Sequence, residues 1–129
     1  MANKAKFPVL IGLVGTVVLA SSGDALAGKA SVVNAKATAQ GNNTYSFSAT
    51  VSHADTGWMH YANKFEILSP DGKVLGTRVL YHPHVNEQPF TRGLGKVKIP
   101  AGIKAVSVRA WDLVYKAGTK TFTVKLPGR

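Results

Sequence analysis

From position 30 onward the apolar residues of the chain recur with a period of two. Between Thr44 and His53, the residues Tyr45, Phe47, Ala49 and Val51 alternate with Ser46, Ser48 and Thr50. That pattern predicts a strand with one face buried and the other wet. Ala30 to Thr38 predicts a first strand, closed by the turn Gln40-Gly41-Asn42-Asn43. Lys64 to Leu68 places Phe65 and Ile67 on one face, and Ser69-Pro70-Asp71-Gly72 has the composition of a hairpin turn into a return strand from Lys73 to His82. Lys96 to Pro100 reads as a short strand with Val97 and Ile99 inward, turned by Ala101-Gly102. Ala105 to Trp111 puts Val106, Val108 and Ala110 on the core side, with Trp111 on the outward parity. Thr119 to Leu126 ends the pattern with Phe122, Val124 and Leu126 inward. Seven short strands with turn residues between them, and no helical period, predict an all-β fold of two antiparallel sheets packed face to face.

The first 27 residues follow another rule. Lys4 and Lys6 precede an apolar run from Phe7 to Ala20, and a short polar stretch ends in Ala25-Leu26-Ala27. Charged start, apolar middle and small-residue exit predict a secretory signal peptide cut after Ala27. A retained anchor fits less well, because about 14 apolar residues fall short of the ~20 that span a bilayer. No Arg-Arg pair precedes the run, which favours the general export route. The expected organisation is therefore a signal peptide, 1–27, and one domain, 28–129, in the periplasm or secreted.

Composition narrows the chemistry. The chain has no cysteine, so an exported domain of this kind relies on its core without disulfides. Thiol catalysis, iron–sulfur clusters, thiolate metal sites and lipid attachment through a cysteine after the cut are excluded on the same ground. Taking Lys4, Lys6 and Asp24 from the 16 basic and 6 acidic residues leaves 14 and 5, a net charge of +9. Such a body is drawn to anionic envelope surfaces or an acidic partner. Nucleic acid is disfavoured as a partner, since the basic residues alternate with core positions instead of clustering along a track.

Two resemblances bear on the fold. Ile99-Pro100-Ala101-Gly102 running into Val106, Val108 and Ala110 resembles the last two strands of fibronectin type III domains. It implies an immunoglobulin-like (fibronectin III-like) two-sheet antiparallel sandwich of about seven strands. The stretch His82-Pro83-His84-Val85-Asn86-Glu87-Gln88-Pro89-Phe90-Thr91-Arg92 resembles a group of small exported bacterial proteins, which brings no activity with it. Over a few residues, Ser52-His53 followed by Thr56-Gly57 is similar to the carrier protein of the Sox sulfur-oxidation system, and no function is carried over from it.

Two stretches escape the strand pattern, 52–63 and 81–92. Together they hold all four histidines, Trp58, and most of the polar groups not used by strands. On a sandwich, function concentrates in such loops. His82 and His84 are one residue apart, and in extended chain i and i+2 point the same way. Pro83 between them restricts both its own φ and the conformation of His82. A His-x-His pair of this kind is a start for a zinc or copper site. A third ligand would come from His60 or His53, with Glu87 a further carboxylate in the same loop. By strand count, both loops open at the same end of the sandwich. The competing expectation is that the histidines satisfy backbone carbonyls. Phe90 would then plug the sandwich end, and Arg92 would pair with Glu87 or Asp55. Trp58, Tyr61, Phe90 and Arg92 are the candidates for contacting a partner.

No nucleophile elbow, phosphate loop, paired catalytic carboxylates or His-Glu-x-x-His helix appears. The sequence thus predicts an exported, non-enzymatic binding or accessory module with a histidine-rich end site for copper or zinc. The alternative is a docking domain whose histidine and aromatic loops are rigid and metal-free. A redox enzyme using the same metal ranks behind both.

Overall fold

The computed structural model describes residues 28–129, and the expected signal peptide and its cut lie outside the described residues. Eight strands run in chain order: β1 (Ser31–Gly41), β2 (Thr44–Ser52), β3 (Ala62–Leu68), β4 (Val74–Val79), β5 (Phe90–Lys98), β6 (Ala105–Asp112), β7 (Lys116–Ala117) and β8 (Phe122–Lys125). One sheet has three strands in the order β1-β2-β5. The other has the order β4-β3-β6-β7, with β8 also pairing β6, and every pairing between strands is antiparallel. There is no helix among the described residues, and none therefore long and apolar enough to cross a membrane.

The alternation read from sequence supplies the core. Tyr45, Phe47, Ala49 and Val51 of β2 face Phe65 and Ile67 of β3 and Val106, Val108 and Ala110 of β6, all buried in one cluster. Burying these apolar faces against each other removes both sheets' hydrophobic surfaces from water, the main favourable contribution to such a fold. The opposite face of β3 and β6 holds a covered carboxylate. Glu66 accepts hydrogen bonds from Arg109 Nη2 at 2.9 Å and Trp111 Nε1 at 2.6 Å, with Lys64 Nζ 3.8 Å away. Trp111 does lie on the outward side, its indole anchored by that bond and covered by Lys64, 4.3 Å above the ring.

Four details depart from the expected strands. β5 begins at Phe90, six residues before Lys96, because a bulge intervenes. Tyr45 pairs with Val97 and Phe47 with Leu94, so the β5 side gains a residue, and Lys96 takes a φ of 56°. The extra residue switches the inward parity between Leu94 and Val97, which hides the strand from a period-of-two reading. β4 is shorter than the predicted Lys73 to His82, and its last residues pass into a loop. The two-residue β7 is an eighth strand, and it shares one edge of β6 with β8. Phe122 is only half-buried against the core, since β8 is a short edge strand.

Gly118 makes the step between those two edge strands. Its N–H donates to the carbonyl of Ala110 at 2.8 Å, and a Cβ there would stand 2.0 Å from the carbonyl oxygen of Ala30. Only glycine lets the last segment cross so close to the start of β1. Three loops, 53–61, 80–89 and 113–115, meet at the end of the sandwich where this crossing lies.

A candidate metal centre at one end of the sandwich

β2 ends at Ser52, and the next residue, His53, turns its ring inward, where the side chain is wholly buried. Asp55, two residues on and also buried, accepts from His53 Nδ1 and from the Ala62 N–H at 3.1 Å through the same oxygen, Oδ1. Its other oxygen accepts the N–H of His84 at 2.7 Å. Gln88 completes the connection, taking the His53 N–H at 2.9 Å on Oε1 and donating to the His84 carbonyl at 3.0 Å. The loops 53–61 and 80–89 are thus stitched together at one end, which the strand count allows.

Because an ionised carboxylate can only accept, Asp55 places a proton on His53 Nδ1, so that the neutral form of the ring offers its lone pair at Nε2. Nε2 is buried with no hydrogen-bond partner and lies 3.5 Å from Asp112 Oδ2. Asp112 closes β6 on its inward parity, after Val106, Val108 and Ala110. Its Oδ1 accepts the N–H groups of Val114 at 2.8 Å and Tyr115 at 2.6 Å, which locks the 113–115 turn. Its Oδ2 is buried and unpartnered. His60 supplies the third atom: its Nε2 is 3.4 Å from Asp112 Oδ1 and likewise has no hydrogen bond. The rings of His53 and His60 meet edge-on at 4.8 Å.

One potential ligand atom from each of His53, His60 and Asp112 lies within 4.8 Å of the other two. Ligands bound at ~2.0–2.1 Å in a tetrahedron stand about 3.3 Å apart, close to the spacing of each imidazole from its own oxygen of Asp112, 3.5 Å for His53 to Oδ2 and 3.4 Å for His60 to Oδ1. The charge balance points the same way. Asp55 and Asp112 place two carboxylates in the interior on either side of the His53 ring, and buried charge needs compensation. A divalent cation would supply it. Asp55 behind His53 is the carboxylate–histidine support that orients metal-binding imidazoles.

The other two histidines form a second pair and stand outside this group. His82 and His84 have ring centroids 4.6 Å apart, so Pro83 does bring the rings together. Yet His84 stacks on Phe90 at 3.9 Å, and its Nε2 accepts from Arg92 Nη2 at 2.9 Å. A guanidinium therefore sits where a metal would approach that atom. Nδ1 of His84 then carries the proton, and it is buried without a partner. Burial holds the His84 imidazole below the usual histidine range, the positive charge of Arg92 and then His82 adds to this, and Glu87 and Asp55 oppose it. His82 is exposed, with Nδ1 3.2 Å from the Pro83 carbonyl. Glu87 is mostly exposed and pairs with Arg92 at 3.2 Å.

Of the expected joint site of His82 and His84 with His60 or His53, the structure brings the four rings together as two separate pairs. His53 and His60 converge with Asp112, which arrives from the other sheet, while His82 and His84 are held by Phe90 and Arg92. Phe90, 1% exposed beneath His84, offers no surface to a partner. Arg92 is half-buried and committed to His84 and Glu87, whereas Trp58 is 65% exposed and packs edge-on against Tyr61 at 5.7 Å. Sequence reasoning missed Asp112 and the role of Asp55. The signal for Asp112 was present: a carboxylate continuing an inward-facing row of apolar residues.

Among known proteins, a "Putative lipoprotein" of Halomicrobium mukohataei is 32% identical to the chain over 96 residues. The match takes in 74% of this chain and 47% of the relative, so the chain spans about half the length of the relative it matches. No family model and no solved structure matches the chain.

Proposed function

We propose that the domain is an exported, non-enzymatic binding module that holds one divalent transition metal, zinc or copper, between His53, His60 and Asp112. The observation that carries this is the convergence of three buried, unpartnered donor atoms from both sheets on one point. Two imidazoles and a carboxylate suit either metal. The name of the relative agrees with an envelope location, as do the charged start and apolar run of residues 1–27. The strand partition supports an immunoglobulin-like or fibronectin III-like sandwich. With β7 set aside, β1-β2-β5 against β4-β3-β6-β8 differs from the constant-type immunoglobulin arrangement only in the sheet that takes the fourth strand.

Calorimetric titration of the purified, chelator-treated protein with zinc and with copper(II) tests the reading. We expect one ion per chain. Binding should be abolished by His53→Ala or Asp112→Asn and weakened roughly 10–100-fold by Asp55→Asn, which removes the charge behind the ligand histidine. His84→Gln should leave affinity unchanged. No binding of either ion, or loss of binding in His84→Gln alone, would refute the assignment. The second reading, a rigid metal-free docking end, draws on the Asp55 and Gln88 bonds that already join the two loops. It predicts loops equally ordered with and without metal.

A further inference from the structure

The large apolar side chains left in solvent are unevenly placed. Ten are exposed among the described residues; Val33, Val74 and Val79 lie on strands, and the other seven belong to the three loops around the metal centre. Trp58 and Met59 form the tip of one loop at 65% and 85% exposure, Tyr81 and Val85 project from the second, and Val114 and Tyr115 from the third. Single exposed apolar residues are ordinary on a protein surface, but a crown gathered at one end marks a contact site.

Charge identifies what it would meet. Of the five carboxylates in residues 28–129, Asp55, Glu66 and Asp112 are buried. Asp71 sits in the hairpin turn at the far end of the sandwich, and Glu87 is paired with Arg92. None of the 14 lysines and arginines in that span is buried, and Lys116 directly follows Tyr115. Beside the crown the chain places Lys116 next to Tyr115 and Lys29 next to Gly28, while the exposed carboxylate of these loops, Glu87, is paired with Arg92. Tryptophan and tyrosine tips flanked by lysine and arginine are the side chains that settle at the boundary between lipid headgroups and acyl chains. The described chain also starts here, with Gly28 packed on the Tyr115 ring.

We infer that this end of the domain docks on an anionic phospholipid bilayer, with Trp58, Met59 and Tyr115 inserting at the headgroup level and the basic surface held over the lipid charge. The inference does not rest on the metal reading, so the experiment is run both in chelator and with added zinc. The purified protein is mixed with sucrose-loaded vesicles of phosphatidylcholine, with and without phosphatidylglycerol. It should co-sediment with the vesicles containing phosphatidylglycerol, and less as salt rises. Trp58 fluorescence should shift to the blue and be quenched by brominated acyl chains. The double substitution W58S and M59S, at exposed loop tips where folding is little affected, should weaken partitioning at least about fivefold. Unfolding curves confirm that the double variant is intact. Absence of co-sedimentation at low salt would overturn the inference. Undiminished binding by the double variant would overturn it as well, since attraction would then come from charge alone.

Discussion

His84 shows how one residue's surroundings decide its protonation. Its ring is buried on Phe90, with Arg92 donating to Nε2, and both features disfavour a second proton. The folded state therefore holds His84 neutral to lower pH than the unfolded chain does. Between the unfolded value near 6.5 and the lowered folded value, unfolding takes up a proton. Stability from this residue is complete above about pH 6.5 and is lost as pH falls, at no more than about 1.4 kcal/mol per pH unit. His84→Gln keeps an acceptor for Arg92 and removes the titration. Denaturant unfolding at pH 7 and pH 5 should show a smaller loss of stability in the variant than in the parent, and equal losses would contradict the account. At this scale the candidate site was half legible. Four histidines in two loops were visible as a density of imidazole. Which of them converge depended on Asp112, which local spacing does not relate to either loop, and on Arg92 reaching His84 as well as Glu87.

Individual strands were most legible where alternation ran unbroken, as in Tyr45-Phe47-Ala49-Val51 and Val106-Val108-Ala110. Each such run buries every second residue, and nothing in its neighbourhood disturbs the count. β5 was hidden from Phe90 to Gly95 because its glycines weaken the strand signal and its bulge shifts the inward parity by one. β7 fell outside the predicted strand Thr119 to Leu126, since its two residues lead into Gly118, which looks like an ordinary turn residue. Its role comes from the approach of Ala30, which the sequence does not display. Gly118→Ala places a methyl against the Ala30 carbonyl and should destabilise the protein by roughly 1–3 kcal/mol, the usual range for an overfilled interior site. Gly95→Ala, with open space around the Cβ position, should cost clearly less. Thermal melts of the two variants make the comparison; similar midpoints would mean that the β7–β8 crossing can shift aside.

For the molecule as a whole, the all-β class and the two-sheet packing followed from period and turn composition, because one core must absorb every inward face. What the sequence could not reveal is how the two ends differ. One end collects the three loops with the candidate metal centre and the exposed aromatics. The other is closed by Arg129, whose guanidinium donates to the carbonyls of Pro100, Ile103 and Ile99 and to Asn43 Oδ1. Residues 28 and 129 thus lie at opposite ends. The first and last long segments are neighbours with the same direction: Ser31 bridges Lys120 in parallel, and the Val32 N–H donates to the Lys120 carbonyl at 3.1 Å. Tension applied between the termini would draw these segments past each other lengthwise. Their contacts would be loaded in shear and would have to fail together, not peel open one by one. Single-molecule stretching between residues 28 and 129 should therefore give one abrupt rupture at high force, whereas pulling across the β3–β4 hairpin should unzip the fold at much lower force. Equal rupture forces in the two geometries would contradict this. A domain built this way can carry mechanical load between whatever holds its two ends.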